Sequence, residues 1–237
     1  MLSGHAALGQ EVGAAAAVGI HLGEELGSKG AVVKQIQQAL HLYPDGIYGK
    51  QTEAVVKKWQ SENGLKADGI VGPATLAKLL PLRFKKSKRK ITDIVVHCTA
   101  TRSWQDFDVN DIRRMHKAKG WSDIGYHYLV KLDGTIQAGR DVDIIGAHVK
   151  GHNSNSIGVV YVGGLDNQGK EKDTRTENQK NALLNLLIDL KRIYPNAKIS
   201  GHRDFSPDKN GDGTISADEY IKSCPCFDAG YEYRRLY

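Results

Sequence analysis

The stretch ITDIVVHCTAT, residues 91–101, decides how the larger part of this chain is read. Ile94, Val95 and Val96 form a continuous apolar run, as expected of a buried strand. His97 closes the run, so the strand delivers an imidazole to the edge of a sheet. A second histidine, His202 in ISGHRDF, follows a short strand-like stretch from Ala197 to Ser200. Further on, IKSCPCFD sets Lys222 two residues before Cys224. Zinc takes imidazole nitrogen and thiolate sulfur, and a catalytic site uses three protein ligands with the fourth position left to water. Lys222 would put a cation beside such a metal, where it can act on a substrate oxygen. Spacing alone leaves open a set of unrelated histidines and a buried free thiol, since no compact ligand motif such as HExxH is present.

Outward from this strand the segment reads as α/β, a mixed central sheet flanked by helices. Asp108 caps a helix through Lys119, with Asp111 in its first turn. Tyr126 to Leu132 alternates like a strand, Asp133-Gly134 makes a hairpin turn, and Thr135 to Ala138 returns. Ile157 to Val162 is another buried strand. Thr176 and Gln179 form a capping box for a helix that ends before Pro195. Its leucines (Leu183, Leu184, Leu186, Leu187, Leu190) make a core face rather than a partner surface.

Nearer the N-terminus, Asp45-Gly46-Ile47-Tyr48-Gly49 is echoed 23 residues later by Asp68-Gly69-Ile70-Val71-Gly72. Each DGxxG marks a tight turn that runs into a helix, and Pro73 suits a first helical position. Val33, Ile36 and Leu40, then Val55, Val56 and Trp59, recur at helical spacing. The expectation is a small three-helix module over 28–81, with helices near 29–42, 51–63 and 73–80.

Between the two parts, PLRFKKSKRK (81–90) holds six cations and no acid, and its charge equals the formal net charge of +6 of the whole chain. The reading is a solvated basic linker over 82–90. No nucleic-acid-binding motif lies beside it, so nucleic acid is not expected as a partner. No stretch approaches the roughly 20 apolar residues of a membrane span. Residues 1–27 are rich in Gly and Ala, lack a basic start and are interrupted by Gln10 and Glu11, so they read as a flexible leader rather than a signal peptide. Three cysteines give no disulfide framework, which suits synthesis in a reducing cytoplasm with Cys98 and Cys226 as free thiols.

The segment from about Lys90 to Tyr237 resembles the zinc-dependent N-acetylmuramoyl-L-alanine amidases of the phage-lysozyme type, relatives of the peptidoglycan recognition proteins. The matching pieces are VVHCTAT (95–101), NDIRRMHKAKGWSDIGYHYLVKLDGTIQAGRD (110–141), GAHVKGHNSNSIGVVYVGG (146–164), then GHRD and KSCP. The resemblance implies an amidase domain over 91–237. It also implies His97, His202 and Cys224 as zinc ligands, Tyr126 and Lys222 as the catalytic pair, and His148 in the substrate cleft. His127 falls on the opposite strand face from Tyr126 and reads as structural, while Asn153 and Ser156 shape a turn. The DGxxG repeat resembles the peptidoglycan-binding module attached to many wall hydrolases. Together these imply a monomeric hydrolase that cuts the amide between N-acetylmuramic acid and L-alanine of the stem peptide. Such an enzyme, a phage endolysin or a delivered lytic effector, reaches peptidoglycan after release or delivery. The alternatives are a non-catalytic peptidoglycan sensor and a peptidase acting within the stem peptide.

One insertion departs from that family pattern. Residues 208–219, DKNGDGTISADE, match the twelve-residue EF-hand calcium loop position by position. The expected oxygens come from Asp208, Asn210, Asp212, the Thr214 carbonyl, Ser216 and Glu219, with Gly213 at the sharp turn. Pro207 precedes the loop, so it reads as EF-hand-like rather than a full hand, and as a means of coupling calcium to the placement of Lys222 and Cys224.

Overall fold

A computed structural model describes residues 23–236, leaving most of the expected leader outside the described residues. Residues 24–27, read as part of that leader, pair with the module: Glu24 bridges Val71, and the Gly27 N–H donates to Tyr48 O at 2.9 Å. Three helices follow, α1 (Ala31–Ala39), α2 (Lys50–Glu62) and α3 (Pro73–Leu79). Val33, Ile36, Tyr48, Val56, Val71 and Leu76 pack into one core between them. None of these helices has a side-chain N-cap, so packing rather than capping holds them.

The two DGxxG turns are fastened by a pair of buried glutamines that repeat with the same spacing. Gln37 accepts from Gly46 N (2.8 Å) and donates to Asp45 Oδ1 and Ile47 O. Gln60 does the same for Gly69 N (2.9 Å), Asp68 Oδ1 and Ile70 O. Gly46 and Gly69 sit at φ 76° and 77°, the left-handed region that only glycine enters without strain.

The larger part is built on a five-stranded mixed sheet. Its strands are β1 (Asp93–Cys98), β3 (Tyr128–Val130), β4 (Ile136–Ala138), β5 (Ser156–Tyr161) and β7 (Lys198–Gly201), in the order β4-β3-β5-β1-β7. β3, β5, β1 and β7 are mutually parallel, and β4 runs antiparallel to β3. A small parallel pair, β2 (Thr101–Arg102) and β6 (Gly164–Leu165), lies apart. Helix α4 (Val109–Ala118) has Asp108 as its cap, in a capping box with Asp111. Helix α5 (Glu177–Ile193) has the Thr176/Gln179 capping box. A short helix, α6 (Ala229–Glu232), closes the chain.

Strand alternation sorts side chains to two faces. Ile94, Val96, Val159 and Tyr161 join Leu183, Leu186, Leu187 and Leu190 of α5 in the main core. Val160 and Leu129 face the other way, towards Ile112 of α4 and Ile124. His97 alternates with Val96 and Cys98, so it leaves the α5 core and points to the face that carries Tyr126.

The basic segment is not a freely solvated linker. Ser87 is buried, Arg83 pairs with Asp189 at 2.8 Å, and Lys85 pairs with Asp141 and Asp143. Arg89 donates to the carbonyls of Val142, Asn153, Ser154 and Ser156. Acidic groups and strand-end carbonyls across the surface draw these cations in, which the run read in isolation could not reveal. Lys86, Lys88 and Lys90 remain exposed.

Candidate metal centre and active-site cleft

Parallel pairing of β1 and β7 sets Val96 opposite Gly201, and so brings the next residues, His97 and His202, side by side at the carboxyl ends of their strands. That edge is where ligands bind in open α/β sheets. The His97 and His202 rings lie 4.9 Å apart, centre to centre. Cys224 arrives from the loop after the insertion and precedes a cis proline, Pro225. Its Sγ accepts from Cys98 N at 3.2 Å and stands 3.8 Å from His97 Nδ1. One ligand atom each from His97, His202 and Cys224 falls within 4.8 Å of the others, the only such gathering of His, Cys, Asp and Glu among the described residues. Two nitrogens and a sulfur at this spacing suit zinc, with His202 and Cys224 half-exposed on the side of a cleft.

A chain of hydrogen bonds behind His97 sets its tautomer. Ser156 Oγ donates to His152 O at 2.7 Å, which leaves the hydroxyl to accept from His148 Nε2 at 3.3 Å. His148 Nδ1 is then the acceptor for His97 Nε2, 3.1 Å away. The His97 lone pair therefore sits on Nδ1, the nitrogen nearest Cys224. The relay needs uncharged rings. Burial holds His148 down to about 3 and keeps His97 well below the usual histidine range. Burial and then the Lys222 ammonium lower His202 to about 4. Gly158 makes room for the arrangement: a Cβ there would lie 2.5 Å from the His148 ring.

In front of the histidines lies a cleft of about 340 Å³ lined by Trp121, His148, Lys150, Asn153, His202 and Lys222. The Tyr126 ring is 5.1 Å from that of His97, and burial pushes its phenol pKa up, so the hydroxyl stays protonated and a donor. Tyr126 is braced by His116 at 5.5 Å, whose ring lies tilted against Trp121 at 4.5 Å. The side chain of Lys222 is exposed on the cleft wall. His148 thus lines the cleft as expected and also supports His97, a role that spacing did not reveal. His127 is buried, accepts from Gly158 N at 2.9 Å and takes no part in the cleft. Asn153 shapes the turn before β5 by accepting from the N–H groups of His148 and Val149. His116 and Trp121 were not anticipated; nothing in their local sequence separates them from ordinary helix-end residues.

The insertion forms a loop closed by a 3₁₀ turn at Ala217–Glu219, without flanking α-helices. Its acidic side chains are turned onto backbone N–H groups. Asp208 accepts from Gly211 and Gly213, Asp212 from Thr214, and Glu219 from Lys209, Asn210 and Ser216. These bonds, with Ser216 first, hold the Glu219 carboxyl down at about 2. Among the described residues, His, Cys, Asp and Glu side chains gather in threes only at His97, His202 and Cys224, and not in this loop.

A family model described as N-acetylmuramoyl-L-alanine amidase matches residues 87–220, and one described as a peptidoglycan binding domain matches residues 29–79. The chain is 42% identical over 141 residues to the endolysin of Klebsiella phage KP32, covering 60% of this chain and 84% of that protein. It is 42% identical over 147 residues to the endolysin of Escherichia phage T7, covering 62% and 88%. Among solved structures, N-acetylmuramoyl-L-alanine amidase LysC from Clostridium intestinale URNW aligns with a TM-score of 0.48 at 27% identity, over 62% of this chain and 86% of that one.

Proposed function

The chain belongs to the N-acetylmuramoyl-L-alanine amidase family, and on that premise we propose that it is a zinc-dependent peptidoglycan hydrolase of the phage endolysin kind. The bond cut is the amide joining the lactyl group of N-acetylmuramic acid to L-alanine. The observation that carries the reading is the gathering of His97, His202 and Cys224 at the end of the sheet beside Tyr126 and Lys222. These three residues would hold the metal. Zinc, when bound, supplies Lewis acidity, polarising the scissile carbonyl and making a water acidic enough to attack near neutral pH.

The protein's own groups do the rest. Attack on the carbonyl gathers negative charge on its oxygen, and the Lys222 ammonium on the cleft wall is the fixed cation that stabilises it. Tyr126, kept protonated, donates a hydrogen bond to the same oxygen or relays a proton of the attacking water, giving up one proton as it takes another. Trp121, which reaches Tyr126 through His116, walls the cleft and helps to exclude bulk water. The module over 28–81 is assigned to wall binding, and the hydrolase to action on the wall after release or delivery from the cytoplasm. We assign calcium to the insertion on its sequence pattern. Isothermal titration of the full chain should show calcium binding that Asp212→Ala with Glu219→Ala abolishes, and no heat in the wild type would refute it.

Mass spectrometry of purified peptidoglycan incubated with the protein tests the main reading. Stem peptides with a free L-alanine N-terminus should appear, and a zinc chelator should suppress them. Intact muropeptides, or cuts only inside the stem peptide, would overturn it.

A further inference from the structure

The catalytic cleft is not the only concave surface with a chemical bias. Where α1 faces α5, two adjoining clefts of about 490 and 410 Å³ open, and neither shares a lining residue with the catalytic cleft. Both lie within the roughly 300–1,000 Å³ typical of small-ligand sites. Helices that pack only for stability interdigitate apolar ridges. Here the facing stripes are polar: Gln35 and Gln38 on α1, against Asn181 and Asn185, one helical turn apart on α5.

Gln35 Nε2 donates to Asn185 Oδ1 at 2.6 Å and so ties the two walls together. Gln38 and Asn181 are exposed, and their carboxamides make no hydrogen bond to another described residue. A carboxamide presents two donors and a carbonyl acceptor at once. That pattern suits sugar hydroxyls and acetamido groups, which also donate and accept. The lining offers no free carboxylate. Its one carboxylate, Asp189, is engaged by Arg83 at 2.8 Å and Arg192 at 3.3 Å, which leaves Lys34 as the unpaired cation among the described lining residues.

We propose that the cleft between α1 and α5 is a composite glycan subsite that takes an uncharged, N-acetylated sugar of the wall polymer. One wall comes from the three-helix module and the other from the amidase domain, so the glycan would anchor both parts together. The inference rests on the peptidoglycan reading above and adds Asn181 and Asn185 of the amidase domain to the wall-binding surface.

The test uses the full chain, its Gln38→Ala/Asn181→Ala double variant, and Asn181→Trp, which fills the cleft. Both positions are exposed, and unchanged melting temperatures would verify that the fold is kept. Each protein is sedimented with purified peptidoglycan, titrated with chitotetraose by NMR, and assayed on a soluble muramoyl peptide. Loss of two hydrogen bonds in the double variant, and blockage of the cleft in Asn181→Trp, should each weaken sedimentation and chitotetraose binding about tenfold or more. Turnover of the soluble substrate should stay at the wild-type rate. Equal sedimentation by all three proteins, with chitotetraose shifts mapping elsewhere, would overturn the subsite while leaving the hydrolase reading intact. A wild type that sediments without hydrolysing any substrate would overturn the hydrolase reading instead, and the variants would still decide the subsite.

Discussion

Ser156 never approaches the cleft, yet it governs the chemistry of His97 two hydrogen bonds away. Its hydroxyl sets the His148 tautomer, and His148 in turn sets which His97 nitrogen is free to bind a metal. Ser156→Ala should therefore lower zinc affinity about 10- to 100-fold, as loss of a ligand's supporting partner generally does. Competition against a chelator of known affinity measures this, and unchanged affinity would show that His97 is oriented by other means. Spacing alone leaves unrelated histidines and a free thiol open; the family resemblance singles out His97, His202 and Cys224, which the fold brings within reach of one another. The support was not legible in either way. His97 and His148 are 51 residues apart, and only the pairing of β1 with β5 brings the segment carrying His148 beneath His97.

Elements show the same division between local signal and long-range consequence. The Asp108 cap, the Thr176/Gln179 capping box and the leucine face of α5 were readable, since each depends on residues within a turn or two. The strand expected over Tyr126–Leu132 shortens to Tyr128–Val130, because the ladder to β4 spans only those residues. Gln37 and Gln60 escaped notice although they repeat at the same 23-residue interval as the turns they fasten. A glutamine inside a helix looks like surface until the turn folds back onto it. Gln60→Ala would strand the Gly69 N–H and remove one donor each from Asp68 and the Ile70 carbonyl. The loss should be about 2 kcal/mol, visible as a lower melting temperature of the full chain, and no shift would remove the fastening role.

The insertion makes a pH-dependent contribution whose sign follows from Glu219. Its folded pKa of about 2 lies below the ordinary 4.5, so its stabilisation is present above 4.5 and is lost as pH falls towards 2. In calcium-free buffer, the melting-temperature gap between wild type and Glu219→Gln should be full at neutral pH and close across that acid range. A gap independent of pH would mean that the carboxylate charge is not what closes the loop.

At the scale of the whole molecule, the basic segment and α5 tie the parts together. Arg192 donates to Leu80 O at 2.6 Å, Arg83 pairs with Asp189, and Gln35 bonds Asn185, so the module sits against the amidase domain through directed contacts. The sequence announced two parts through two unrelated patterns, a turn repeat and a strand–histidine run. It could not announce their docking, because the partners of Arg83 and Arg192 are distant in the chain and carry no motif. The claim on which everything else depends is that this scaffold holds zinc at one edge of its sheet to cleave an amide. The most direct test is metal analysis of the purified wild type and Cys224→Ser, with the release of L-alanine-terminated stem peptides measured on the same samples. One zinc per wild-type chain is expected, with both zinc and peptide release lost in Cys224→Ser. Wild-type release of those peptides from metal-free protein, or by a zinc-free Cys224→Ser, would contradict it.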